Sequence, residues 1–139
     1  MAVSQEKIKE IADLLECGFR AFIHKTSHEI LSFPDNSNSY DMDMEPWTEE
    51  TDKLESDRMS YMEIDNMSSR DGFKVMEDFA ASLPENYTRT KLFQALEGKK
   101  PFANFKIQID RSGGYRDMWF DFRKERLIRW VERQMEYMD

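Results

Sequence analysis

Cysteine occurs once in this 139-residue chain, at Cys17, so no internal disulfide can form and nothing in cysteine usage argues for secretion. Cys17 itself is expected as a small buried hydrophobe at a helix end rather than a reactive thiol. No apolar run approaches the ~20 residues that a membrane span requires. The first residues lack the cationic start and apolar stretch of a signal peptide, so the chain is read as cytoplasmic, with no membrane partner. Repeats and low-complexity arrays are missing, which leaves one domain over 1–139 as the economical reading. Also missing are a Ser-His-Asp order, a glycine-rich phosphate loop and an H-E-x-x-H motif.

What is present is enough for a packed core. Hydrophobic residues make up 40% of the chain and aromatics 13%, with ten Phe, three Trp and ten Met. The net charge of −8 is unevenly spread. Residues 1–85 carry 20 acidic and 8 basic side chains, whereas residues 86–139 carry 8 acidic and 12 basic. Overall acidity opposes general nucleic-acid binding, because phosphate would meet net repulsion. The second half, with its excess of four basic side chains, has the charge for a local basic face.

The pattern predicts an α+β fold: an N-terminal helix and small antiparallel sheet, followed by a C-terminal bundle of about four helices. Ser4 suits an N-cap, and Ile8, Ile11, Ala12 and Leu15 recur at helical spacing up to Gly18. Phe19 to His24 and Glu29 to Phe33 read as a hairpin around residues 25–28. Residues 34–46 read as loop, and the acidic stretch that follows holds only Leu54 as an apolar anchor, so any helix there is expected to be exposed and mobile. Tyr61 to Asp65 alternates as a third strand. From 69 the period becomes helical, with Ser69 as cap and Phe73, Met76, Phe79, Ala80 and Leu83 on one stripe ended by Pro84. Helices follow at about 88–97, from Pro101, and at about 115–137 after Gly113-Gly114. Phe102, Phe105, Trp119 and Trp130 are expected to be buried and mutually close. Within the single domain, residues 1–68 form the sheet part and 69–139 the helical part.

An ordered series of motifs runs through the second half. It comprises Met76-Glu77-Asp78-Phe79, Ala95-Leu96-Glu97-Gly98-Lys99, Pro101-Phe102-Ala103-Asn104-Phe105-Lys106, Trp119-Phe120-Asp121-Phe122-Arg123, and Glu125-Arg126-Leu127 with Trp130. In this series the chain resembles the bacterial uncharacterised protein family UPF0158 over about residues 70–133. The resemblance implies a bacterial cytoplasmic protein with a helical C-terminal part. It implies no activity and supplies no catalytic residues.

Each chemical constellation has a plainer reading. His24 and His28, with Cys17 upstream, offer too few ligands for a closed zinc site. Asp41, Asp43, Glu45, Glu49 and Asp52 mimic calcium-loop spacing, but Pro46 stands where the loop needs glycine. Glu77 and Asp78 are adjacent and point about 100° apart on a helix. Asn86-Tyr87-Thr88 matches a glycosylation acceptor and is better explained as a helix cap. These readings lead to no catalytic residue, no metal ligand and no cofactor. The informative set is basic: Lys99, Lys106, Arg123, Arg126 and Arg129, interleaved with aromatics. Asp117, Asp121, Glu125 and Glu132 share the last helix with the three arginines, which favours ion pairing over phosphate contact. The expected function is a protein-interaction or regulatory module without catalysis, with an unidentified protein as partner. The alternatives are nucleic-acid binding through the basic helices, and an enzyme using a divalent metal on the acidic loop.

Overall fold

The computed structural model describes residues 2–37 and 41–138. Helix α1 (Gln5–Glu16) starts where the Ser4 side chain accepts a hydrogen bond from the Lys7 backbone N–H. Its stripe of Ile8, Ile11, Ala12 and Leu15 is buried. Gly18, at φ 82°, supplies the left-handed turn out of the helix. Cys17 lies at that turn and is exposed, correcting the expectation of a buried thiol. Leu15 and Ala12 already fill the side of the helix that faces inward.

Strands β1 (Phe19–His24), β2 (Ile30–Pro34) and β3 (Tyr61–Ile64) form an antiparallel sheet in the order β2-β1-β3. Being central, β1 buries Ala21, Phe22 and Ile23 in succession, so both of its faces are covered. Phe22 lies opposite Leu31 and Glu63, which puts it on one face with Phe33 and Tyr61. That face is closed by α2 (Thr48–Ser56) through Leu54, with Trp47 and Met44 partly buried against the same cluster. The acidic helix is therefore short, as expected, but docked by its one apolar residue rather than fully exposed. Arg20 and Arg58 stand 5.1 and 5.3 Å from the centre of the Phe22 ring. Arg20 also forms a two-point pair with Glu63 at 3.0 Å.

Contacts divide the chain into two compact units, 1–66 with 128–139, and 67–127. The second unit holds α3 (Ser69–Ser82), α4 (Tyr87–Glu97), α5 (Pro101–Asp110) and the first part of α6 (Tyr115–Met135). The cap of α3 is Ser68, one residue earlier than expected. Its hydroxyl accepts from the Asp71 N–H while the Asp71 carboxylate accepts from the Ser68 N–H. Asn86 caps α4 and donates to the Tyr115 hydroxyl at 2.8 Å. Leu83, Leu92, Ala95, Leu96, Phe105 and Ile109 pack with the α3 stripe. Trp119 completes this core, its ring 4.9 Å from Phe105 and 5.3 Å from Phe79.

Two of the four aromatics expected in that core lie elsewhere. Phe102 is 46% exposed, because the first turn of α5 leaves it at the edge of the packed face. Trp130 belongs to the first unit and is half-buried. Its indole N–H donates to the Asp65 carbonyl at 2.7 Å, and Gln134 pairs with both the N–H and C=O of Asp65.

Candidate binding cleft

Three helices of the second unit present residues at i, i+3, i+4 and i+7 spacings to a common cleft of about 450 Å³. Helix α3 contributes Gly72, Val75 and Met76. Helix α5 contributes Phe102, Phe105, Lys106, Ile109 and Asp110, and α6 contributes Arg116, Trp119, Phe120 and Arg123. The floor is the buried core surface of Val75, Met76, Phe105, Ile109 and Trp119. Gly72 keeps one wall low: a methyl group there would rest 3.5 Å from the Phe102 ring. At the mouth stand Phe102 and Phe120, 46% and 39% exposed.

The rim is basic. The one carboxylate of the lining among the described residues, Asp110, accepts from Arg116 at 3.1 Å, and the Arg116 guanidinium lies 4.8 Å from the centre of the Phe120 ring. Lys106 is exposed and has no ion-pair partner among the described residues. Arg123 reaches the same rim. Chemically, such a surface can bury an apolar group and attract negative charge beside it; no side chain on it is arranged as a nucleophile with a base.

Of the five basic residues singled out in the sequence, the cleft brings together Lys106 and Arg123. Arg126 instead bonds Asp78 at 2.9 Å and stacks near Phe122, while Lys74 takes the other Asp78 oxygen at 3.1 Å. Burial alone would raise the Asp78 carboxyl's pKa, but the hydrogen bonds from Arg126 and Lys74 outweigh it and hold the pKa below the usual value. Lys99 lies in the α4–α5 turn, where its carbonyl accepts from Asn104. Arg129 belongs to the first unit. Sequence reasoning missed Gly72, Phe120 and Asp110 as cleft residues, although the i, i+3, i+4, i+7 series 116, 119, 120 and 123 carried the signal.

The first unit holds a polar cluster of another kind. The His24 Nδ1 accepts two backbone N–H groups, from Thr26 and Ser27, at 3.1 Å each. That lone pair is thereby committed to the turn, and the Nε2 side lies 4.0 Å from Asp57. The Tyr61 hydroxyl donates to Glu29 at 2.6 Å, and Lys53 bonds the other Glu29 oxygen. Burial first, and the Glu29 bond second, push the Tyr61 phenol up to about 12. These contacts tie α2 and β3 to the hairpin. The Asp43 carboxylate, one of the calcium-loop residues, accepts from the Glu45 N–H. Among the described residues, no three His, Cys, Asp or Glu side chains are grouped as a metal would need, and no helix is long and apolar enough to cross a membrane.

Residues 19–138 match the family described as Uncharacterised protein family (UPF0158). A UPF0158 protein of Pseudomonas aeruginosa is 28% identical over 78 residues, which cover 56% of this chain. The chain spans about half the length of that curated relative, 51%. No solved structure matches.

Proposed function

Because the chain belongs to the uncharacterised family UPF0158, whose name carries no chemistry, we propose a function from its surface: a protein-interaction module that seats a partner segment in the α3–α5–α6 cleft. The observation that carries this reading is the pair of exposed rings, Phe102 and Phe120, over an apolar floor. Solvent-exposed aromatics beside a formed cleft are the usual anchors of protein recognition. Charge complementarity chooses the occupant. With Lys106, Arg116 and Arg123 on the rim against Asp110 alone, the partner segment carries a large apolar side chain flanked by Asp or Glu. Binding rather than catalysis fits a lining whose one carboxylate is engaged by arginine. The cytoplasm is the compartment we assign to it, in keeping with the single cysteine.

Fluorescence polarisation tests the reading with labelled 15-residue helical peptides carrying a Leu-Trp anchor and either acidic or basic flanks. The acidic-flank peptide should bind and the basic-flank peptide should not. Phe102→Ala with Phe120→Ala should weaken binding at least roughly tenfold, the scale of an aromatic hot spot. Replacing Lys106 and Arg123 by Glu should reverse the flank preference. Equal binding of both peptides, or indifference to the Phe replacements, would remove the cleft as the interaction surface.

A further inference from the structure

A second concavity, of about 370 Å³, lies where the start of α4 meets the end of α5. Its lining is polar throughout: Tyr87, Thr88 and Lys91 from α4, and Gln108, Arg111 and Ser112 from α5 and its C-terminal turn. The i, i+3 spacing of Thr88 with Lys91, and of Gln108 with Arg111, turns each pair to one helix face. Among the described residues no carboxylate lines it.

With a net charge of −8, carboxylates outnumber cations; Arg20, Lys53, Arg116 and Arg126 each hold one, and Lys74 holds two, Glu77 and Asp78. Lys91 and Arg111 hold none among the described residues. Lys91 instead lies 5.3 Å from the centre of the Tyr87 ring, which is 76% exposed. Ser112 donates to the Ile109 carbonyl at 2.6 Å, so its hydroxyl proton is committed to the α5 end and only its place in the wall belongs to the pocket.

We propose that this pocket binds a small phosphomonoester. Arg111 offers a planar fork and Lys91 a point charge to the phosphate oxygens, a combination suited to a dianion. Thr88 and Gln108 supply neutral donors, and the exposed Tyr87 ring offers a flat face to the organic part. The volume lies in the range of small-molecule sites. The site shares no lining residue with the α3–α5–α6 cleft, so it stands or falls independently of the interaction reading.

Backbone amide NMR titrations of the whole chain with phenyl phosphate, inorganic phosphate and phenol would test it. Phenyl phosphate should saturably shift Thr88, Lys91, Gln108, Arg111 and Ser112 at submillimolar concentration. Inorganic phosphate should bind the same residues more weakly, and phenol should leave them unmoved. The double replacement Lys91→Gln, Arg111→Gln should weaken binding roughly tenfold or more, as loss of two charge-assisted contacts implies. Both side chains lack ion pairs among the described residues, so the melting temperature should stay unchanged; Tyr87→Ala, at an exposed ring, gives a second variant that should weaken phenyl phosphate but not inorganic phosphate. Shifts spread equally over Lys99, Lys100 and Lys106, or affinity untouched by the double replacement, would overturn the proposal.

Discussion

Trp119 is the residue on which the helical unit's core and its cleft both depend. Its ring packs edge-on to Phe105 and tilted on Phe79, and its outer side forms cleft floor. Trp119→Ala should therefore cost roughly 3–5 kcal/mol in urea unfolding, as deletion of a buried aromatic does. Phe102→Ala, at the exposed mouth, should change stability by less than about 1 kcal/mol. Asp78 tests electrostatics at the same scale. Its carboxyl pKa is lowered in the folded state, so its contribution is present above the unfolded value of about 3.9 and is lost as pH falls through the folded value. Solvent reaches both partners, which limits the effect to about 0.5–1 kcal/mol. The stability gap between the native chain and Asp78→Asn should be constant well above the unfolded value and narrow as pH falls below it and through the lowered folded value. A gap that persists in acid would mean that Asp78 acts through packing.

At the scale of the element, the start of α3 decides between two adjacent serines. Ser68 makes the reciprocal bonds with Asp71, whereas Ser69 is the first helical residue. Ser68→Ala should cost about 1 kcal/mol and Ser69→Ala almost nothing, both read from thermal or urea midpoints. The choice was hidden in the sequence because either serine precedes the apolar stripe by a plausible distance, and Asp71 is a less usual third residue than Glu. Elements with strong period were legible: the α1 stripe, the hairpin strands around residues 25–28, and the four later helices all appear within a few residues of their expected bounds. What composition obscured was docking by single residues. Leu54 and Trp47 suffice to hold an acidic helix on the sheet because Phe22, Phe33 and Tyr61 present a continuous apolar face to them. The cleft was half legible. Lys106 and Arg123 stood out by charge, but Phe102 read as core, since periodicity places a ring on a face and cannot say whether that face is covered.

For the whole molecule, the question is whether the basic second half overcomes the net charge of −8 in the presence of nucleic acid. Binding driven by phosphate neutralisation weakens with salt by nearly one power per contact on duplex DNA. Several cations that such binding would recruit are already occupied: Arg126 by Asp78, and Arg116 by Asp110. Releasing them would forfeit those pairs, while the 20 acidic side chains of residues 1–85 add general repulsion. Labelled RNA and duplex DNA titrated from about 20 to 200 mM salt should thus bind weakly even at the lowest concentration, with a shallow slope. The acidic-flank peptide should also lose affinity as salt rises, though its apolar anchor in the cleft should retain part of it. Submicromolar nucleic-acid binding near physiological salt, abolished by Lys106→Glu with Arg123→Glu while the fold survives, would transfer the cleft rim from a protein partner to phosphate. The Phe102→Ala, Phe120→Ala variant separates the two cases further. A peptide loses its anchor with those rings, whereas contacts to a phosphate backbone depend on the cations and would keep their salt slope.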